Sequence, residues 1–208
     1  KFRFPGHEHA RFVDSPLGRI PEGWEVEGIG DVALNFDRLR KPLSSIQRGE
    51  RKGIYPYFGA AKVFDYIDDY IFDGIYLLLA EDGSVTTTDR KPVLQYVSGR
   101  FWANNHTHIL QGKGSVSTEF LYLVLSELDI TGYITGAAQP KVTQANLNRI
   151  PVVVAEDGVL ERFNEFTKPV FRQKIILGEK SEALRRTRDL LLPKLISGGV
   201  DVSELDIA

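Results

Sequence analysis

Residues 160–199 read LERFNEFTKPVFRQKIILGEKSEALRRTRDLLLPKLISGG, and this stretch decides how the chain is organised. An apolar residue recurs at every seventh position, which places a stripe along one side of a helix. The residues of this stripe are Phe163, Val170, Leu177, Leu184 and Leu191. The companion position is mostly polar, so a strict two-position coiled-coil seam is absent. We therefore predict a long helix that pairs with a partner helix through one apolar stripe.

Two prolines set the expected limits of this helix. Pro169 and Pro193 each remove a backbone donor and clash with the preceding turn, which usually kinks or ends a helix. The sequence predicts a helix that starts near Pro169, where proline is tolerated in a first turn, and runs to about Leu192. Gly198 and Gly199 are expected to stop it. The alternative is a terminal helix that packs on its own domain.

The composition is that of an ordinary soluble globular protein. Hydrophobic residues make up 42% and charged residues 26% of the 208 residues, with a formal net charge of -2. Residues 31–150 contain thirteen basic and thirteen acidic residues, so any face that binds nucleic acid must be a local basic cluster.

The expected location is the cytoplasm. The chain has no cysteine, which excludes disulfides and thiolate metal sites and fits a reducing compartment. Its longest apolar run, residues 75–80, is too short to cross a bilayer, and residues 1–5 lack the apolar core of a signal peptide. Because the sequence starts at Lys1, we expect it to be a piece of a longer protein.

Residues 25–155 are predicted to form a strand-rich domain between a lead-in of residues 1–24 and a helical arm of residues 156–208. The clearest internal helix is residues 118–128, and residues 36–52 and 136–146 are expected to be loops. The expected strands are residues 25–34, 54–61 (an edge strand or turn, because of Pro56), 75–80, 101–110 and 150–154. The predicted class is α+β.

No motif in the sequence indicates catalysis. The segment GKGS at residues 112–115 lacks the first glycine of a phosphate-binding loop, and no serine lies in a nucleophile elbow. His7 and His9, and also His106 and His108, have the spacing that places two ring nitrogens on one strand face. Because no third ligand sits beside either pair, no metal site is predicted.

Short stretches that recur in one order along the chain carry a family resemblance. They are DSPLGRIPEGW at residues 14–24, YPYFGA at 55–60, EDG at 81–83, WANNHTHIL at 102–110, GAAQPK at 136–141 and RDLLLPKLISG at 188–198. Together they resemble the DNA-specificity subunit of type I restriction-modification enzymes. Each stretch is short, but their order covers most of the chain.

The resemblance implies an architecture and a set of partners. Such subunits carry two target recognition domains, each followed by a long helix, and the two helices pair antiparallel as a ruler between DNA half-sites. This chain has one such domain and one arm, so it resembles a C-terminal half or a half-sized subunit. The resemblance implies no catalysis and no cofactor in this chain. Modification subunits would methylate adenine with S-adenosylmethionine, and restriction subunits using ATP and Mg would join them.

The leading hypothesis is recognition of one half of a bipartite site in double-stranded DNA. Amide side chains can read adenine, Lys and Arg can read guanine or grip phosphate, and carboxylates can accept from cytosine. The residues expected to face DNA are Lys52, Tyr55, Tyr57, Glu81, Asp82, Gly83, Ser84, Thr86, Asn104, Asn105, Gln139 and Lys141. The arm is expected to pair with a second recognition half or with its own copy. Two alternatives remain: a protein-interaction module without DNA binding, and the recognition end of a single-chain methyltransferase or nuclease.

Overall fold

The computed structural model describes residues 10–199, which divide into two compact units between Glu165 and Phe166. The first unit is rich in strands and the second is helical, which confirms the α+β class. Within the described residues, no helix is long and apolar enough to span a membrane.

The first unit is built from short elements. Its strands are β1 Phe12–Ser15, β2 Gly18–Pro21, β3 Glu25–Gly28, β4 Ala33–Asn35, β5 Lys52–Phe58, β6 Val63–Ile67, β7 Phe72–Ala80, β8 Leu94–Ala103, β9 Thr107–Gly112 and β10 Pro151–Val154. Its helices are α1 Ile29–Val32, α2 Ser45–Glu50, α3 Thr118–Glu127 and α4 Gln144–Asn148, with 3₁₀ turns at Asp37–Leu39 and Thr131–Tyr133.

Strand β7 is the centre of the main sheet. The strand order is β4-β9-β7-β8-β5-β6, and β7 is antiparallel to both of its neighbours. The residues from Leu77 to Ala80 are fully buried, as expected for a continuous apolar run covered on both faces. The predicted strand at residues 75–80 is therefore confirmed.

The β7–β8 pair bends where two glycines face each other. Gly74 pairs with Gly99, and their φ angles of 137° and 90° are ones that other residues rarely adopt. The bend is required because Phe101 pairs with Phe72 while Thr107 pairs with Ala80. Six residues of chain reach at most about 21 Å, whereas eight residues of a straight strand span about 26 Å. The curved ladder thus lets the short β8–β9 connection reach the far end of β7.

Residues 25–52 contain helices where the sequence predicted a strand and a loop. Helix α1 interrupts the predicted strand because one helical turn buries both Ile29 and Val32 in the core. Helix α2 begins with a capping box in which the hydroxyl of Ser44 accepts from the Gln47 amide and the Gln47 side chain accepts from the Ser44 amide. The predicted strand is therefore partly correct, since β3 and β4 lie on either side of α1, and the predicted loop is partly correct, since its capping box stabilises the short helix α2 within it.

Strand β5 lies inside the sheet and not at its edge. It pairs with β6 on one side and β8 on the other, although Pro56 cannot donate to a ladder. The parallel pairing with β8 involves only Tyr57 and Phe58, so Pro56 lies outside it. The predicted strand of residues 101–110 is also two strands, because the chain turns between Ala103 and Thr107.

Helix α3 confirms the predicted internal helix. The hydroxyl of Ser117 accepts a hydrogen bond from the Phe120 amide and caps the first turn. Leu121 and Leu125 are fully buried in the core. The predicted loop at residues 136–146 is only partly correct, since α4 begins at Gln144 with Thr143 as its cap.

Helix α5, Asp157–Ile196, starts earlier and ends later than the sequence predicted. Its 40 residues correspond to about 60 Å at about 1.5 Å per residue. Pro169 and Pro193 lie inside it. Each proline removes only one backbone hydrogen bond, and the helix tolerates this loss because its hydrogen bonds continue on both sides. The predicted stop is confirmed. Gly198 has a φ of 71° and donates to Leu195, while Gly199 donates to Lys194, which is the Schellman arrangement.

We predict that Gly99→Ala destabilises the first unit by about 1–3 kcal/mol, because alanine is strained at a φ of 90°. Gly49→Ala is the matched control, since it adds the same methyl group inside helix α2 and is expected to stabilise by about 0.5–1 kcal/mol. Among the described residues, no atom lies within 4 Å of either added methyl group, so both changes test the backbone alone. Urea unfolding followed by the fluorescence of Trp24 and Trp102 measures both; equal stability of the two variants would contradict a strained backbone at residue 99.

Candidate nucleic-acid interface

Three loops meet at the end of strand β7, and we call residues 81–84, 104–106 and 139–141 the loop cluster. The amide of Glu81 donates to the carbonyl of His106 over 2.9 Å, and the amide of Gly83 donates to the carbonyl of Pro140 over 3.1 Å. Asp82 forms an isolated β-bridge with Lys141. The structure thus brings together eight of the predicted site residues: Glu81, Asp82, Gly83, Ser84, Asn104, Asn105, Gln139 and Lys141.

Three other candidates lie outside the loop cluster. Lys52 and Tyr55 are near the start of β5, whereas its end contacts the cluster through the Asn104 amide, which donates to the carbonyl of Phe58. Lys52 and Phe58 are about 20 Å apart along the strand. The Lys52 ammonium pairs with a carboxylate of β6, and the Tyr55 ring lies against another tyrosine. Thr86 faces Pro92 in a separate hairpin.

Tyr57 does not face solvent, which corrects the expectation that it contacts DNA. Its side chain is 1% exposed, because β5 turns it into a small core with Ile67 and Trp102. Its hydroxyl accepts a hydrogen bond from the Leu43 amide over 2.9 Å, and the Arg48 guanidinium lies 5.2 Å from the ring centroid. Tyr57 is therefore a core residue that anchors the segment before α2.

Asn104 is likewise buried and has a structural role. Its side-chain oxygen accepts a hydrogen bond from the His106 amide over 2.8 Å, which closes the turn between β8 and β9. The neighbouring Asn105 is exposed. The turn thus buries one amide side chain and presents the other to solvent.

A buried histidine and aspartate anchor the base of the loop cluster. Nδ1 of His108 lies 2.6 Å from a carboxylate oxygen of Asp37, and Nε2 lies 2.7 Å from the carbonyl oxygen of Val142. The second oxygen of Asp37 accepts from the Ile109 amide over 2.9 Å. Because a carbonyl oxygen can only accept, Nε2 is the donor in the contact with Val142. Both ring nitrogens of His108 thus have oxygen partners inside the protein.

Arg40, Glu81 and Lys141 form the second part of this charged network. Nη1 of Arg40 lies 2.5 Å from one carboxylate oxygen of Glu81, and Nζ of Lys141 lies 3.0 Å from the other. The same guanidinium donates to the carbonyls of Thr107 and Asp37 over 2.8 and 3.0 Å. Glu81 is thus enclosed by two cations and is not available to accept from a base.

Both carboxylates of the network are ionised near neutral pH. Burial opposes ionisation of Asp37, but the hydrogen bond and charge of His108, with the Ile109 amide and Arg40, outweigh it and lower the pKa of Asp37. Burial also opposes ionisation of Glu81. There, hydrogen bonds from Arg40 and Lys141, with the positive charge of His108, lower the pKa of Glu81. Two carboxylates are therefore held by Arg40, Lys141 and the ring of His108.

Asp37, Glu81 and His108 have ligand atoms within 4.8 Å of one another, which is a spacing that could hold a metal ion. Their atoms, however, already have protein partners. Both nitrogens of His108 are hydrogen-bonded, and both oxygens of Glu81 face a cation. A metal would have to displace Arg40 or Lys141, so the donor set fits an ion-pair network better than a metal centre.

The structure separates the histidine pair that the sequence placed on one strand face. His106 lies in the turn before β9, and its Nδ1 is 2.7 Å from Asp82 at the surface. His108 lies in β9 and is buried. The other pair, His7 and His9, lies outside the described residues.

Sequence reasoning missed Asp37 and Arg40 and gave His108 no partner. Spacing could not find the network, because its members come from four segments separated by tens of residues. One signal was present: His108 interrupts the apolar end of a predicted strand, and a buried polar side chain requires a partner.

The described residues thus form a strand-rich unit with polar loops gathered at the end of β7, followed by a long helix. Residues 21–156 match the family described as the type I restriction modification DNA specificity domain. Because this match covers well over half of the chain, the chain belongs to that family.

Relatives and solved structures agree with this assignment. A protein named as a type I restriction enzyme specificity subunit from Haemophilus influenzae is 36% identical over 140 residues, covering 66% of this chain and 35% of the relative. The MjaIX specificity subunit of Methanocaldococcus jannaschii is 25% identical over 205 residues, covering 89% and 46%. The fold resembles the crystal structure of the S subunit from M. genitalium, with a TM-score of 0.63, 14% identity and coverage of 84% and 46%.

The family membership confirms the resemblance seen in the sequence. It also supports the expectation that the chain is not catalytic, since the family is described as a DNA specificity domain. The chain spans 35–46% of the length of these two curated relatives. The expected division at residues 24 and 155 stays a prediction.

We predict that Asp37→Asn destabilises the first unit by about 3–5 kcal/mol at pH 7, because it removes one partner of the buried His108–Asp37 pair. Asp73→Asn is the matched control. It removes the same charge from an exposed pair with Arg100 and is expected to cost less than about 1 kcal/mol. Urea unfolding at pH 7 measures both, and similar losses in the two variants would contradict a buried ion pair.

The difference between the unaltered chain and Asp37→Asn is expected to depend on pH. Because the folded-state pKa of Asp37 is lowered, its stabilisation is fully present above the ordinary value of about 3.9. It is lost as pH falls through the lower folded value. Urea midpoints measured from pH 6 down to pH 2 should therefore differ less and less below about pH 3.9, and a difference that stays constant over this range would contradict a lowered pKa of Asp37.

Proposed function

We propose that this chain recognises one half of a bipartite DNA site as part of the specificity subunit of a type I restriction-modification complex, and so directs adenine methylation and restriction. The observation that carries the proposal is the family match of residues 21–156, which encloses the whole loop cluster. Because DNA inside the cell would be the target, the proposed place of action is the cytoplasm.

The exposed residues of the loop cluster are suited to different parts of DNA. Asn105 and Gln139 are exposed amides, which can pair with both hydrogen-bonding groups at the edge of adenine. Ser84 is exposed beside Gly83, whose φ of 77° turns the backbone at the loop tip. A hydroxyl and backbone amides suit phosphate oxygens. We infer that Asn105 and Gln139 contribute base contacts and that the tip of the first loop contacts the backbone.

Eight of the sixteen Lys and Arg residues among residues 10–165 form salt bridges with carboxylates. Lys52 pairs with Asp65, Arg100 with Asp73, and Arg51 with two aspartates of the β6–β7 turn. At the loop cluster, Arg40 and Lys141 are engaged by Glu81. Because the two cations at the loop cluster already have a carboxylate partner, the chain alone is expected to bind DNA weakly. We propose that modification subunits complete the affinity, and that S-adenosylmethionine, ATP and Mg are bound by partner subunits.

The helical arm carries the proposed pairing surface. In its second-unit part, Val170, Leu177, Leu184 and Leu191 are all exposed, with Leu184 70% exposed. Phe163 belongs to the first unit, where its ring contacts Phe120 edge to face at 5.6 Å. The exposed stripe is unfavourable in water and is suited to cover an identical or similar helix.

The charges of the arm favour antiparallel pairing. Residues 156–165 contain four acidic residues and one basic residue, whereas residues 185–194 contain four basic residues and one acidic residue. Antiparallel helices bring unlike ends together, whereas parallel helices bring like charges together. We propose that the arm pairs antiparallel with a second recognition half, which is either a second copy or another domain of a longer chain.

A protein-interaction module without DNA binding is the second candidate. The observation that favours it is the balance of charge, since residues 31–150 contain thirteen basic and thirteen acidic residues. Selection of DNA by the chain with its modification subunits separates the two candidates.

We predict that the chain, together with a modification subunit, enriches one short motif from a randomised DNA duplex pool and that Gln139→Ala relaxes one position of that motif. The loss of an amide contact to adenine corresponds to about 1–3 kcal/mol of discrimination, or roughly 5-fold to 150-fold. Gln173→Ala is the matched control, because Gln173 is an exposed glutamine of the arm. The measurement is sequencing of the bound pool at two salt concentrations.

No enrichment with or without the modification subunit, by a chain shown to be folded, would reject DNA recognition and favour the interaction module. A motif that is unchanged in Gln139→Ala would instead reject only the base contact assigned to that residue.

We predict that two copies of the arm cross-link in an antiparallel arrangement. The chain has no cysteine, so chains with Phe166→Cys and Leu184→Cys each carry a single thiol. These positions are about 27 Å apart along one helix. A short bis-maleimide should therefore join position 166 to position 184 in a mixture of the two chains. Products that join identical positions would indicate parallel pairing.

The apolar stripe is tested with the same cross-link. Leu177→Asp places a charge in the stripe and should weaken self-association at least about tenfold, because about 1.5–3 kcal/mol of burial is lost per copy. Ala183→Asp adds the same charge to an exposed residue outside the stripe and should leave the cross-link unchanged. Equal effects would show that the stripe is not the pairing surface.

A further inference from the structure

We propose that Arg40 is a positioning residue that fixes the three loops of the loop cluster relative to one another, and that this placement determines which bases they select. The proposal rests on the proposed function and adds to it a residue that no base contact requires. It also assigns Glu81 and Lys141, which the sequence placed at the DNA surface, to the same positioning network.

The contacts of Arg40 link two of the loops directly. Its Nη1 lies 2.5 Å from the carboxylate of Glu81 in the first loop. The same nitrogen lies 3.4 Å from the carbonyl of Asn105 and 2.8 Å from the carbonyl of Thr107 at the second loop. The Arg40 side chain is only 14% exposed, so its donors are directed into the protein. It therefore holds the loops without being available to read a base.

Glu81 extends the connection to the third loop. The carboxylate oxygen that does not face Arg40 accepts from the Lys141 ammonium over 3.0 Å. The main chain reinforces this link, because the Val142 amide donates to the carbonyl of Glu81 over 2.8 Å. One continuous set of contacts thus runs from Arg40 through Glu81 to the base of the 139–141 loop.

The backbone segment that carries Arg40 is itself fixed. It follows the 3₁₀ turn Asp37–Leu39, and Asp37 is held by the buried His108 on one side and by the Ile109 amide on the other. The side chain of Asn35 also accepts from the Asp37 amide over 2.9 Å. Arg40 is therefore presented from a rigid turn, which a positioning group requires.

Selectivity is sensitive to such placement. A hydrogen bond to a base edge weakens steeply outside a narrow range of distance and angle. Recognition groups must be held within about 0.5 Å of their productive position. The loop tips at Ser84, Asn105 and Gln139 are exposed, so the contacts beneath them are what hold them in register.

The test compares Arg40→Lys with the unaltered chain. Lysine keeps the positive charge but lacks the planar fork that reaches Glu81 and two carbonyls at once. With the modification subunit present, Arg40→Lys should bind a mixed duplex pool within about threefold of the unaltered chain. Its preference for the enriched motif over single-base variants should fall about tenfold, since one well-placed base contact contributes about that factor.

Hydrogen exchange without DNA provides a second measurement. The amides of Glu81 and Gly83 bond to neighbouring loops, so they should exchange at least about tenfold faster in Arg40→Lys if the network holds the loops. Arg149→Lys makes the same change at an exposed arginine outside the network and should alter neither selectivity nor exchange.

The outcomes separate this proposal from the proposed function. Unchanged selectivity and exchange in a folded Arg40→Lys chain would reject the positioning role and leave DNA recognition standing. Failure of the unaltered chain to enrich any motif would reject DNA recognition and, with it, the effect of Arg40 on base choice. If Arg40→Lys does not fold, Lys141→Gln tests the same network, because it loosens only the third loop. Unchanged selectivity in Lys141→Gln would then reject the proposal.

Discussion

The pairing of His108 with Asp37 is the interaction on which the arrangement of the loops depends. His108 lies in strand β9 among fully buried neighbours, and a buried polar group without a partner costs several kcal/mol. Asp37 and the carbonyl of Val142 supply those partners. One histidine therefore ties the turn before α2 and the segment after the third loop to the same strand. Arg40 meets Glu81 because its turn is fixed in this way.

The bend at Gly74 and Gly99 is the second requirement, and it is one of backbone geometry. Without it the β8–β9 connection could not reach the end of β7, and Asn105 would lie far from Ser84. The bend also gathers aromatic rings into one core cluster, where Phe101 stacks on Phe72 at 5.0 Å and contacts Tyr76 edge to face. Those contacts offset the loss of side chains at the two glycines. The sheet thus brings the loops to the end of β7, and the buried ion pairs fix the positions of the loops relative to one another.

The sequence predicted the features that depend on neighbours in the chain. The apolar run at residues 75–80, the cap of α3 and the glycine stop after Ile196 each follow from local pattern and were confirmed. The helix limits predicted from Pro169 and Pro193 were wrong. The free-energy cost of a proline is confined to one turn, whereas a 40-residue helix is stabilised along its whole length. Asp37, Arg40 and Glu81 become partners only after folding, so spacing could not find them. The resemblance to the family rests on the order of short sequence motifs along the chain. Local helix, strand and turn preferences do not explain that order.

The balance of charge in the first unit has a consequence for recognition. Affinity for DNA that comes from free lysine and arginine is independent of sequence, and a chromosome offers a vast excess of wrong sites. A domain with equal numbers of basic and acidic residues, as in residues 31–150, gains little from such sites. Its exposed amides at Asn105 and Gln139 can then contribute mainly to the difference between sites. If partner subunits grip the phosphates, affinity and selectivity reside in separate proteins. One set of partners can then serve recognition domains with different loops, provided that each domain holds its loops as firmly as this one does.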